Sequence, residues 1–164
     1  MQWVDGPLDS EQWTTVRDLR LASLRDDPDA FGATLEEEGH WSEEQWRDFI
    51  ARQAVFALHD QEGPAGIALV ETFDGDFGAT CWLGGCWVSP RARRRGLLRH
   101  FLATLDAEAA TRGWQVQGLG VWENNHNAIA AYEALGFALV GDAVVSTRRP
   151  PRRYVRMIRR SPGL

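Results

Sequence analysis

The segment that most restricts what this chain can fold into runs from Thr80 to Ala110. Thr80 to Val88 is apolar, aromatic and glycine-rich, reads as a strand, and is closed by Pro90. Arg91, Arg93, Arg94 and Arg95 then crowd a short loop. From Gly96 onward Leu97, Leu98, Phe101, Leu102, Leu105 and Ala109 recur on one helical face. The first amides of a helix have no intrahelical acceptor, and the macrodipole adds positive potential there. Phosphate or pyrophosphate suits such a place. Gly96 lets a ligand come close to the backbone, and Arg91, Arg93, Arg94, Arg95 and Arg99 add cationic donors. A solvated basic turn is the competing reading. The loop lacks the Gly-Lys-Ser/Thr of a nucleotide-triphosphate loop, and no GxGxxG fingerprint occurs.

The rest of the chain supplies alternating elements. Met1 to Val4 reads as a short strand, and Ser10 caps a helix carrying Trp13, Val16, Leu19 and Leu24 that ends at Asp27-Pro28. Leu35 to Ala51 reads as an acidic helix with Gly39 as a candidate break. Ala54 to His59 and Ala65 to Phe73 form a predicted hairpin. After the Gly96 helix, Arg112-Gly113 gives a stop signal. Val116 to Trp122 is a strand, Asn125 to Leu135 a helix with Gly136 at C′, and Ala138 to Val145 and Tyr154 to Arg159 are closing strands. The order predicts an α/β (α+β) fold, a mixed sheet with helices on both faces. The 164 residues suit one domain spanning 1–164, with no repeat or linker.

Charge is unevenly distributed. Residues 1–80 hold 18 acids against 5 arginines, a net of −13, whereas residues 81–164 hold 5 acids against 13 arginines, a net of +8. Either this is a polarity of solvated faces, or the basic half takes an anionic ligand and the acidic half a cationic one. The overall charge of −5 argues against a nucleic-acid partner. There is no lysine, which excludes mechanisms that need one. No apolar run approaches the ~18 residues of a membrane helix, and Met1 to Asp5 lack the basic start and apolar run expected of a signal peptide. Cys81 and Cys86 would lie on opposite faces of one strand, so a disulfide is not expected and a reducing cytoplasm fits. No His/Cys cluster suggests a metal.

A second segment runs from Val121 to Phe137. Asn125 and Tyr132 are two helical turns apart, on one face with Ala128. Taken alone, Asn125 reads as a helix cap and Tyr132 as a core aromatic. The two segments together resemble the GNAT superfamily of N-acetyltransferases. Arg93-x-x-Gly96-x-Leu98 resembles its acetyl-CoA loop, with Leu98 where Gly or Ala is usual. Asn125-x-x-Ala128-x-x-x-Tyr132-x-x-x-Gly136-Phe137 resembles its second signature. The resemblance covers roughly residues 54–160 and implies a mostly antiparallel sheet of about seven strands. It also implies that acetyl-CoA is the acyl donor. Backbone amides from Arg94 and Arg95 through Gly96, Leu97 and Leu98 would hold the CoA pyrophosphate. Trp87 and Val88 would pair with the pantetheine arm, Asn125 and Ala128 would line it, and Tyr132 would protonate the departing thiolate.

An attacking amine must be neutral, so a proton acceptor is expected. Family members that carry a mid-strand glutamate would have it where this chain has Trp82 or Gly120. Glu71 is the favoured candidate base here, with Glu123, His40, the Glu36–Glu38 run or a water chain as alternatives. Phe31 and Trp82 are candidate acceptor contacts. The expected reaction is acetylation of a small primary amine by a monomer or homodimer, without membrane or nucleic acid. A protein N-terminal or side-chain acetyltransferase and a non-catalytic acyl-CoA-binding domain are the rival readings.

Overall fold

A computed structural model describes residues 2–162. Its strands are β1 (Val4–Asp5), β2 (Ala54–Asp60), β3 (Gly63–Thr72), β4 (Cys81–Val88), β5 (Val116–Trp122), β6 (Ala138–Val145) and β7 (Arg153–Arg160). Its helices are α1 (Trp13–Asp26), α2 (Leu35–Glu38), α3 (Glu43–Ala51), α4 (Leu97–Arg112) and α5 (His126–Ala134). The strands form one seven-stranded sheet in the order β1-β2-β3-β4-β5-β7-β6. β4 and β5 run parallel, while β1–β2, β2–β3, β5–β7 and β6–β7 are antiparallel. This is the mixed, mostly antiparallel α/β architecture expected from the sequence. The expected first strand, Met1 to Val4, is displaced: it falls at Val4–Asp5, and Met1 lies outside the described residues.

Two further expectations are corrected. The single acidic helix over Leu35 to Ala51 is two helices. Thr34 caps α2, and Ser42 opens α3 with a reciprocal capping box to Gln45, so a new helix starts after Gly39. The helix expected from Gly96 begins one residue later, because Gly96 sits at φ +78 outside helical space.

By contacts the chain divides into two compact units. The first comprises the chain up to Glu71 together with Gly84–Thr104, and the second comprises Thr72–Leu83 with the chain from Leu105 onward. In the first unit, β2 and β3 are buried on both faces. Val55, Ala57, Ile67 and Leu69 pack against Val16 and Leu19 of α1 and Trp46, Phe49 and Ile50 of α3. The opposite face carries Phe56, whose ring meets Phe101 of α4 edge-on at 5.3 Å. Arg20 and Glu38 are buried as a two-bond pair at 2.7 and 3.1 Å, with the guanidinium 5.7 Å from the rings of Phe31 and Phe49. Gly85 lies at φ +57 within β4, and a Cβ there would press on Arg20 Nη1 and Leu69. Only glycine accepts both that backbone and that contact.

The second unit is built on β5 and β7. Their register pairs Trp122 with Tyr154, Gly120 with Arg156 and Gly118 with Ile158. One β5 face carries Gln117, whose amide donates to Trp114 O at 2.6 Å and Ser161 Oγ at 2.8 Å. Arg159 donates to Gln117 and, with both terminal nitrogens, to Asp106. Burial pushes the Asp106 carboxyl upward, but hydrogen bonds from Arg159 and Ser161 and the Arg159 charge outweigh it and hold the group below its usual range.

Candidate functional site

In the first unit, the strand end, loop and helix start bring a row of backbone donors together. None of the backbone N–H groups from Arg94 to Arg99 donates to a protein acceptor among the described residues. The first such bond along α4 is His100 N to Gly96 O at 3.0 Å. Buried or not, unpaired amides in series at a helix start favour a multi-oxygen anion. A Cβ at Gly96 would meet nothing within 4 Å, so the space over the loop is open. The 16-residue α4 has no acidic residue in its first turn to compete for the amides.

The arginines divide into two groups. Arg91 bonds Asp60, Glu62 and the Pro64 carbonyl. The Arg91 guanidinium holds the Asp60 carboxyl below its usual range. Arg93 donates from Nη2 to Asp26 Oδ2 at 2.7 Å and from Nε to Val88 O at 3.0 Å. These two cations brace the loop. Arg94, Arg95 and Arg99 are exposed and make no such bond. Asp26, the last residue of α1, also accepts from Trp87 Nε1 at 2.9 Å. It thereby ties the end of β4 and the loop to one carboxylate, a role the sequence did not single out. Leu97 is buried and Leu98 half-buried at the helix start. Phe31 is packed against the Arg20 guanidinium and the apolar core, and Glu71 is exposed at the end of β3.

In the second unit, Asn125 caps α5. Its Oδ1 accepts from Ala128 N at 3.2 Å, and no acceptor takes its Nδ2 among the described residues. Ala128 and Tyr132 follow as half-buried positions of α5, and the Tyr132 ring meets Phe137 edge-on at 5.6 Å. Trp82 pairs with Gly118 in the β4–β5 ladder, and its ring lies where a Gly118 side chain would stand. Burial pushes the Cys81 thiol up to about 12, so it stays protonated at neutral pH and has no nucleophilic character. Cys86 is half-buried and in no disulfide.

The family model described as "Acetyltransferase (GNAT) family" matches residues 13–137. No curated protein matches by sequence. Solved structures with the same fold include a proposed acetyltransferase of Salmonella typhimurium with its cofactor acetyl-CoA, at 17% identity and TM-score 0.70, covering 96% of this chain and 92% of that one. The ribosomal-protein-S18-alanine N-acetyltransferase of Escherichia coli aligns at 22% identity and TM-score 0.63, covering 98% and 94%. A spermidine N-acetyltransferase chimera of Vibrio cholerae aligns at 16% and 0.67, covering 98% and 96%.

Proposed function

The chain belongs to the acetyltransferase (GNAT) family, and from that premise we propose that it moves the acetyl group of acetyl-CoA directly onto a primary amine of a small molecule. The observation that carries the reading is the row of unpartnered amides from Arg94 to Arg99 beneath an open Gly96. A pyrophosphate supplies the acceptor oxygens these groups lack. The side chains of Arg94, Arg95 and Arg99 add charge for the phosphates, while Arg91 and Arg93 keep the loop in shape. Trp87 and Val88 run beside the pantetheine arm, and Asn125 Nδ2 is a donor for one of its carbonyls.

In the transfer, the neutral amine nitrogen forms a bond to the thioester carbonyl carbon and the carbon–sulfur bond breaks. The CoA sulfur leaves with the bonding pair and takes a proton from the Tyr132 hydroxyl, or a hydrogen bond from it. The proton lost by the amine passes to solvent, with Glu71 as its candidate acceptor. Because Glu71 is exposed, it acts through water rather than as a desolvated base. No covalent enzyme intermediate is needed, in keeping with the protonated Cys81.

Among the described residues no helix is long and apolar enough to cross a membrane. Cys81 and Cys86 form no disulfide, which fits a reducing cytoplasm, where we place the enzyme. A small-molecule acceptor is favoured over a protein one by the half-buried aromatic Trp82 packed over Gly118.

The test is a thermal-shift titration with acetyl-CoA, followed by thiol release with a panel of amines. At ~100 times its dissociation constant, the donor adds about 2.7 kcal/mol of stability. The upward shift is expected in the wild type and absent in a folded Gly96→Glu variant, whose carboxylate would fill the open space above the amides. A wild type that acetyl-CoA does not stabilise would overturn the reading.

A further inference from the structure

The second unit leaves side-chain donors without acceptors, all at one end of the β5–β7 pair. Opposed residues of an antiparallel pair share a face, and alternate residues of one strand share it too. Gly118, Gly120 and Trp122 of β5 therefore lie on the same face as Ile158, Arg156 and Tyr154 of β7. Gly120 is exposed although β5 has strands on both sides, so this face is uncovered there. Trp82 closes it over Gly118, and the Tyr154 ring lies 3.3 Å from where a Gly120 Cβ would stand. The uncovered spot is thus walled by aromatic side chains.

The polar groups around it are donors. Trp122 is 8% exposed, and its indole N–H is buried with no acceptor. Arg156 gives its terminal nitrogens to Asp76 Oδ2 and Asp142 O, at 3.0 and 3.1 Å, but its Nε–H is buried without a partner. The Arg152 guanidinium stacks on the Trp122 ring at 3.9 Å and has no ion pair among the described residues. Of the acids in this part of the unit, Asp76 pairs with Arg156, Glu123 lies 3.7 Å from Arg153, and Asp142 is exposed and meets Arg156 through its backbone carbonyl. Two buried N–H groups without acceptors and a stacked guanidinium without an ion pair form a donor-rich environment. Buried donors left unpaired are costly, and an anionic oxygen pair relieves that cost. A guanidinium is also the group best matched to a planar carboxylate.

We propose that the acceptor carries a carboxylate as well as its amine. It is an amino-acid-like molecule with an apolar or aromatic body, its carboxylate held by Arg152 and the Trp122 indole N–H, and its body lying over Gly120 between Trp82 and Tyr154. The proposal rests on the acetyltransferase reading and names the substrate class of that reaction. It assigns a role to Arg152, the residue before β7.

The experiment compares phenylalanine with phenylalaninamide, which differ in the anion, as acceptors in thiol release, with rates expressed per neutral amine. Wild type should favour the acid. In Arg152→Gln the acid-to-amide ratio of kcat/KM should fall by about tenfold to a hundredfold, the loss of one charge-assisted hydrogen bond. Arg152→Lys should recover part of the ratio, and Trp122→Phe should lower it less than Arg152→Gln. A wild type that turns over both equally, or an Arg152→Gln variant that keeps the wild-type ratio, overturns the proposal while leaving the transferase reading standing. A second measurement needs no turnover: N-acetylphenylalanine should raise the melting temperature of wild type more than its amide does, and Arg152→Gln should erase that difference. If no amine releases thiol and acetyl-CoA gives no thermal shift, the transferase reading falls. The N-acetylphenylalanine shift then decides the carboxylate site by itself, its presence supporting the site and its absence overturning it.

Discussion

The two units both leave hydrogen-bond donors open, but of different kinds. In the first, a row of backbone amides, Arg94 to Arg99, is open beside the exposed side chains of Arg94, Arg95 and Arg99, while Asp26, Glu38 and Asp60 each bind an arginine side chain. In the second, the open donors are side chains, the Trp122 indole, Arg156 Nε and the Arg152 guanidinium. Backbone amides present the same chemistry whatever the residue, so they suit a group common to every turnover, such as a pyrophosphate. Side-chain donors change with one substitution, so they suit the part of the reaction that must be selective. The lesson is that the row of backbone amides is insensitive to substitution, whereas the side-chain donors beside Gly120 can each be removed by one.

This contrast can be broken most forcefully in the first unit. Arg20 and Glu38 form a buried two-bond pair, with side-chain exposures of 8% and 5%. Glu38→Gln leaves a buried guanidinium uncompensated and should lower unfolding stability by about 3 kcal/mol. The contrast predicts that acceptor preference stays as in wild type in the protein that remains folded. Chemical denaturation and an amine panel on the same preparation check both halves, and a changed preference would blur the division.

Tyr132→Phe should do the reverse. Loss of the phenolic proton should lower kcat about a hundredfold, the scale of general acid catalysis, with KM for acetyl-CoA little changed. Steady-state kinetics with both substrates varied separates the two effects. A large rise in that KM with kcat intact would make Tyr132 a binding residue instead.

A smaller effect is expected at the base of the second unit. Asp106→Asn weakens the part-buried contacts of Arg159 and Ser161, and about 2 kcal/mol of stability should go with them. The carboxyls of Asp106 and Asp60 both lie below their ordinary range when folded. For a lowered carboxyl, the stabilisation is fully present above the unfolded pKa and is lost as pH falls through the folded one. Stability should therefore be level in neutral solution and decline below about pH 4, near the unfolded carboxylate value. Asp106→Asn should make that decline shallower. An identical acid limb in wild type and variant would remove Asp106 from the account.

Much of the local structure was legible because local signals set it. Val116 to Trp122 is a strand between the expected bounds, since an apolar run flanked by turn residues defines it. Gly136 follows α5 as the expected C′ residue. The start of α3 was also readable in principle, from Ser42 followed three residues later by Gln45, but the acidic run across Gly39 masked it. The candidate site was legible where backbone chemistry builds it, at Gly96 and the loop before it. It was not legible where partners lie far apart in the chain. Arg91 meets Asp60 across 31 positions and Arg93 meets Asp26 across 67, and no periodicity encodes either choice.

The sequence by itself determined the order of elements, the open amides of an arginine-rich turn before a helix, and the Asn125–Tyr132 face, because each depends on neighbours within a few residues. Packing of distant segments set which arginines brace and which remain exposed, that burial silences Cys81, that Arg152 stacks on Trp122, and that Arg156 stands opposite a bare Gly120. Those outcomes turn on strand register and on which groups lose water, and both are fixed only when distant segments pack.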